Sequence, residues 1–342
     1  MERADLDWKN LVFGYNKTDY NIRYTWKDGA WDGGTMTQDE NISMHMAATC
    51  LHYGQEAFEG LKVFEQKNGD IVVFRVEENA KRMIRSCNKI FMAAPPEELF
   101  IEAVNKVVAA NRKYVPPYGT GASLYVRPLV IGTGPQVGVK PAEEYTFVVF
   151  VSPVGPYFKT GFKPVHLIVE DEFDRAAPNG VGDVKVGGNY AAGLRASLRA
   201  KKAGYTEVLY LDAKEKRYID ESGPANFFGI TPEGIYVTPQ SESVLPSITN
   251  MSLFDLACDM GLKPERRPVD VEEIFGFKDA GCCGTAAVIT PVGSITYGDR
   301  KAVYVEGDEP GEYCQKLYKK LTGIQLGEEE DTRGWIRKIP LD

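Results

Sequence analysis

Histidine is scarce in these 342 residues: only His45, His52 and His166 occur, and they show no metal-ligand spacing. The chain is therefore expected to hold no metal centre, and His45 reads as a surface or packing residue. Six cysteines (Cys50, Cys87, Cys258, Cys282, Cys283, Cys314) contain no C-x-x-C pair. So few in so long a chain make no disulfide framework, and reduced thiols are expected. G-x-G-x-x-G, G-x-x-x-x-G-K-[ST] and G-x-S-x-G are all missing, and Gly132, Gly134 and Gly138 are wrongly spaced for the first. These absences set aside the dinucleotide fingerprint, the phosphate loop and the serine nucleophile elbow. No apolar run approaches the ~20 residues that span a bilayer; the most apolar stretch is Tyr145 to Val154. Met1 to Asn10 carries Glu2, Asp5 and Asp7 without an apolar core, so no secretory leader and a cytoplasmic location are expected. Positive charge is in deficit, 40 Lys plus Arg against 48 Asp plus Glu, a net −8 that argues against a nucleic-acid partner.

What is present is globular. Hydrophobic residues make up 43% and charged residues 26%, enough to bury a core, and the length suggests about two domains. Ile71 to Arg75 reads as a strand, followed by a helix from Glu78 to Phe91 with Ala80, Met83, Ile84, Cys87 and Phe91 on one face. Pro95 and Pro96 introduce a second helix, Glu97 to Lys113, with Phe100, Ala103, Val104, Val107 and Val108 as its stripe. Ser123 to Ile131 and Tyr145 to Val151 read as strands. Gly155, Pro156, Gly161 and Pro164 interrupt every period, the pattern of a linker, which sets domains at 1–153 and 165–342 with a linker at 154–164. Beyond it, strands are expected at Val165 to Val169, Glu207 to Leu211, Phe227 to Ile230 and Ile235 to Thr238, and helices at Tyr190 to Lys202 and Ser247 to Met260. Both halves are mixed, so the fold class is α/β (α+β).

The most informative segment is Gly180 to Tyr190, GVGDVKVGGNY, where Lys185 sits among Gly180, Gly182, Gly187 and Gly188. Glycines let a backbone approach a ligand closely, and a partly desolvated lysine can form an imine. Local composition leaves this reading and that of a solvated lysine on a turn both open. GDVKVGGNY resembles the cofactor-lysine segment of the branched-chain amino acid aminotransferases, fold-type IV (class IV) enzymes that depend on pyridoxal 5′-phosphate. LHYGQEAFEGLKVF (Leu51 to Phe64), FRVEENAKRMIRS (Phe74 to Ser86), SLYVRPLVIG (Ser123 to Gly132), DESGPANFF (Asp220 to Phe228), VLPSIT (Val244 to Thr249) and GTAAVITPV (Gly284 to Val292) resemble further blocks in the family's order.

The resemblance implies a small α/β domain, a short linker, a larger pseudo-barrel domain and a homodimer. It implies reversible transamination of leucine, isoleucine and valine with 2-oxoglutarate by a ping-pong route. Lys185 would be the Schiff-base lysine and proton carrier, and Glu221 the carboxylate partner of the pyridine nitrogen, which needs one to act as an electron sink. Arg82 would bind the cofactor phosphate with the amides of Ile248 and Thr249 and the Thr285 hydroxyl, since a dianion needs charge-assisted donors; Arg85 and Lys89 would belong to a solvated face. Thr285 and Ala286 would present amides to the substrate α-carboxylate. Tyr53, Phe58, Tyr125 and Tyr190 would form an aromatic cage, Tyr190 also lying near the cofactor, and Arg127 would receive the side-chain carboxylate of glutamate. Two relatives of the same fold type, D-amino acid aminotransferase and aminodeoxychorismate lyase, are the alternative; the HY…FEG and YVRP blocks match the branched-chain subgroup better. A non-catalytic vitamin B6 binder would need neither Lys185 nor Glu221. Some family members carry a redox-active C-x-x-C pair where this chain has Ala287 and Thr290.

Overall fold

The computed structural model describes residues 3–157 and 161–341. They form two compact units: residues 3–157, 184–187 and 324–341 in the first, and 161–183 and 188–323 in the second. The four residues around Lys185 and the last stretch of chain thus pack with the first unit, a membership that no single cut in the sequence can express.

The first unit is built on a nine-stranded sheet. Its strands run in the order Ile336–Lys338, Ile71–Phe74, Leu61–Glu65, Ser123–Gly132, Glu144–Val154, Asn21–Lys27, Ala30–Trp31, with Thr35–Thr37 and Glu56–Phe58 pairing off that path. The central strand Ser123–Gly132 alternates: Leu124, Val126 and Val130 are buried in the core, while Tyr125 and Arg127 lie on the other face and are only partly buried. A period of two makes this unavoidable once one face is apolar. Two helices, Val76–Lys89 and Glu97–Ala110, supply Met83, Phe100, Val104, Val107 and Val108 to that core. Val184 and Val186 are buried in the same cluster, whereas Lys185 between them is only partly buried.

The second unit contains a closed ring of strands. Ile219–Ser222, Glu207–Leu211, Val165–Glu170, Val288–Tyr297, Asp279–Gly284 and Ala225–Ile230 follow one another, and Ala225–Ile230 pairs back to Ile219–Ser222. Closure removes the unpaired edges that an open sheet exposes. Ile235–Pro239 and Lys263–Arg267 extend the sheet, and Leu167, Leu209, Phe227, Ala280, Val292 and Ile295 fill its apolar cluster. The helix Gly187–Lys202 contributes Ala196 and Ala200 against Val208 and Tyr210. Asp279 caps the helix Glu312–Leu326 by accepting from the Tyr313 and Cys314 amides, each at 3.0 Å. Among the described residues no helix is long and apolar enough to cross a membrane.

Candidate active site

Six of the residues singled out in the sequence belong to the first unit: Lys185, Arg82, Tyr53, Phe58, Tyr125 and Arg127. The main chain of Lys185 is clamped on both sides, its N–H donating to Ser86 Oγ at 3.0 Å and its carbonyl accepting from the Phe58 N–H at 3.1 Å. Its Nζ lies 4.7 Å from the centroid of the Phe58 ring, and the Arg127 guanidinium lies 4.9 Å from the same centroid. Arg127 also sits 5.2 Å from the Tyr125 ring and donates through Nη2 to its hydroxyl at 3.2 Å. Its buried Nε has no hydrogen-bond partner, a donor that costs free energy until an acceptor arrives. Tyr125 can occupy this place only because residue 60 is glycine: a Cβ there would lie 2.1 Å from its Oη. Tyr53 ends the short helix Thr49–Tyr53, is 38% exposed and donates its hydroxyl to the Val137 carbonyl.

The helix Val76–Lys89 presents a buried face of Val76, Asn79, Ala80, Arg82, Met83, Ser86 and Cys87. Arg82 is thus a buried cation at 8% exposure, whereas Lys81, Arg85 and Lys89 are exposed. The solvated face expected for Arg85 and Lys89 is there, and Arg82 stands apart from it. Its Nε and Nη2 donate to Glu59 at 2.7 and 2.9 Å. Ser86, Glu59 and Asn79 do not stand out in the sequence. Each lies inside a family-like block, but nothing local marks its partner, which is 20 or more residues away.

The other six belong to the second unit: Glu221, Tyr190, Ile248, Thr249, Thr285 and Ala286. Glu221, in the strand Ile219–Ser222, is buried, accepts from the Leu245 N–H and lies 3.8 Å from the Arg175 guanidinium. The adjoining Asp220 is also buried, and burial pushes its carboxyl up, against the opposing pull of Ser241 and Arg175. Asn226, opposite Glu221 in the ladder, donates to the Leu245 carbonyl at 2.9 Å and accepts from Asn250 at 3.1 Å. This network fixes the chain leading into the helix Ile248–Asp259. At that helix start Ser247 Oγ takes the Asn250 N–H at 3.2 Å and the Ser247 carbonyl takes that of Met251 at 2.9 Å. The helix itself therefore makes no use of the Ile248 and Thr249 amides, where its dipole favours an anion.

Thr285 and Ala286 lie in the hairpin loop closed by the Gly284–Val288 pair. Val288 adopts φ 63°, a left-handed conformation that costs a β-branched residue about 1–2 kcal/mol. Tyr190 is partly buried in the first turn of Gly187–Lys202.

These donor sets suit pyridoxal phosphate by their chemistry. A primary amine is held over an aromatic ring, a buried guanidinium and unused helix-start amides suit a phosphate, and a buried carboxylate kept beside an arginine suits a pyridinium nitrogen. The class IV amino-transferase family model matches residues 56–295. The chain belongs to that family. It is 48% identical to the branched-chain-amino-acid aminotransferase of Haemophilus influenzae over 98% of this chain and 99% of the relative. Among solved structures it resembles the branched-chain amino acid aminotransferase of Escherichia coli, with TM-score 0.81 and 28% identity over 95% of this chain and all of that one. It also resembles the branched-chain aminotransferase of the archaeon Thermoproteus uzoniensis with norvaline, with TM-score 0.77 and 25% identity over 93% of this chain and 99% of that one.

Proposed function

We propose that this chain transfers the amino group reversibly between leucine, isoleucine or valine and 2-oxoglutarate, using pyridoxal 5′-phosphate and a ping-pong sequence. The observation that carries the reading is the Phe58 ring, which has the Lys185 amine at 4.7 Å and the Arg127 guanidinium at 4.9 Å from one centroid. An aliphatic side chain would pack on Phe58, Tyr125 and Tyr53, while a side-chain carboxylate would find the unpartnered Nε of Arg127. One pocket lining thereby accepts both leucine and glutamate. When bound, pyridoxal phosphate supplies the electron sink that makes the substrate Cα–H acidic. Lys185 would hold the cofactor covalently, and its amine would carry the proton at the substrate Cα. Arg82, the Ile248 and Thr249 amides and Thr285 would hold the phosphate; Glu221 would keep the ring nitrogen protonated; the Thr285–Ala286 turn would orient the α-carboxylate. The reading includes a homodimer in the cytoplasm, the dimer being checked by light scattering at twice the chain mass.

The test is a spectrum of the purified holoenzyme as leucine and then 2-oxoglutarate are added. Leucine should convert the bound cofactor to its amine form and 2-oxoglutarate should restore it. No change with leucine but conversion by D-alanine would favour the D-amino acid aminotransferase reading instead.

A further inference from the structure

Glu59 is the least expected charged group in the first unit. Its exposure is 0%, and it lies between the strands Glu56–Phe58 and Leu61–Glu65, both of which pair with Ser123–Gly132. Its own N–H donates to the Pro128 carbonyl at 2.8 Å, which fixes the residue in the sheet. Oε1 accepts from Arg82 Nε at 2.7 Å, and Oε2 accepts from Arg82 Nη2 at 2.9 Å, Asn79 Nδ2 at 2.7 Å and the Gly60 N–H at 3.1 Å. Burial pushes the carboxyl up, but the charge and donors of Arg82, with Lys185 and Asn79 adding to them, outweigh it and hold Glu59 ionised. A buried ion pair of this kind contributes little net stability, because desolvation offsets the Coulombic attraction. What a two-pronged carboxylate–guanidinium contact does give is a fixed plane and a fixed approach edge.

We propose that Glu59 is a positioning residue for the cofactor phosphate: by gripping the Nε–Nη2 edge of Arg82 it fixes the plane in which that guanidinium meets the phosphate. This rests on the assignment of Arg82 to the phosphate. Asn79 is on the same helix face as Arg82 and braces the carboxylate from the side. Arg82 therefore does not follow its own rotamers to the ligand; it is held between a helix and a sheet. The neighbouring Ser86 on that face holds the Lys185 main chain, so one helix face sets both the amine and the phosphate cation.

The experiment uses the full-length chain stripped of cofactor and compares dissociation constants for pyridoxal phosphate and for pyridoxal, which lacks the phosphate. Their ratio isolates the phosphate contribution and does not depend on the fraction of protein that is folded. Glu59→Gln should reduce the preference for the phosphorylated ligand about tenfold, the scale of one charge-assisted contact. Arg82→Ala should reduce it at least as much, and Glu59→Gln added to Arg82→Ala should reduce it no further, as expected for residues acting as a unit. Asn79→Ala should lower the same ratio by a smaller factor, and covers the case in which Glu59→Gln folds too poorly to measure. If Arg82→Ala collapses the ratio while Glu59→Gln and Asn79→Ala leave it within twofold, Glu59 has no positioning role and the Arg82 assignment stands. An equal loss in the Arg82→Ala background would also overturn the proposal. If Arg82→Ala leaves the ratio unchanged, the phosphate assignment itself fails, and the inference with it.

Discussion

In the first unit the groups assigned to the ligand are side chains held by other side chains. Arg82 is gripped by Glu59, Arg127 rests on Phe58 and Tyr125, and Lys185 is clamped through Ser86 and Phe58. In the second unit they are mostly main-chain amides at the ends of elements: Ile248 and Thr249 at a helix start, Thr285 and Ala286 in a hairpin loop, with Glu221 adding a carboxylate. Side chains divide the chemistry into separable tasks, each of which one substitution can remove. Amides are common to every residue but proline, so their placement depends on the Ser247 cap, the Asn226–Asn250 network and the left-handed Val288. Single substitutions should therefore act sharply in the first unit and, Glu221 apart, mildly in the second.

The largest expected effect is that of Lys185→Ala, which removes both the covalent anchor and the proton carrier. The leucine half-reaction should slow at least ~1000-fold with the circular dichroism unchanged; near wild-type turnover would remove Lys185 from the mechanism. Glu221→Gln comes next and tests the charged exception in the second unit. Turnover should fall about 10- to 100-fold, the worth of a charge-assisted contact, while cofactor affinity falls less because the phosphate is held elsewhere. A loss confined to cofactor binding would contradict the role given to Glu221. Arg127→Ala should lower kcat/KM for glutamate and 2-oxoglutarate at least ~10-fold more than for leucine. Equal losses would make Arg127 a structural prop for its two rings.

Lys62, partly buried in the strand Leu61–Glu65, separates a structural lysine from a working one. Burial holds its ammonium down at about 8, against 10.5 in the unfolded chain. The unfolded chain thus binds the extra proton between those values, and stability rises with pH across that window. Lys62→Met should raise the melting temperature below about pH 8, with the gain vanishing as the pH approaches 10.5, and it should leave transamination in place. The smallest effect is expected from oxidation. Cys282 and Cys283 are buried a few residues before the Thr285 turn; burial pushes the Cys282 thiol up to about 12 and Cys283 well above its usual value. Thiols so held are poor nucleophiles. Mild peroxide should change activity little and dithiothreitol should not raise it; a reversible loss abolished by Cys282→Ser or Cys283→Ser would show that a side chain, not an amide, governs that turn.

Periodic segments are legible from composition and spacing. The helix expected from Glu97 is observed as Glu97–Ala110, introduced by Pro96, and Glu207–Leu211 is the strand expected there. Lys263–Arg267, KPERR, carries neither apolar alternation nor β-branched residues, yet it forms a strand because Ile235–Pro239 offers it a parallel partner along its whole length. Asn21–Lys27 likewise lies outside the expected strands; its charges stay toward solvent while Ile22 and Tyr24 are buried. In both, pairing to a neighbour outweighs local propensity.

Which side chains carry charge, a nucleophilic amine or an aromatic face is written in the chain and needs no fold to be known. Its ordered blocks also make Lys185, Arg82, Glu221 and Arg127 stand out, because the chemistry of a functional group belongs to the residue. Two features come from folding alone: Arg82 is buried on Glu59, and Lys185 belongs with the first unit. These depend on partners 20 or more residues away and on backbone dihedrals, and neither quantity is a property of any single residue or of its neighbours in the chain.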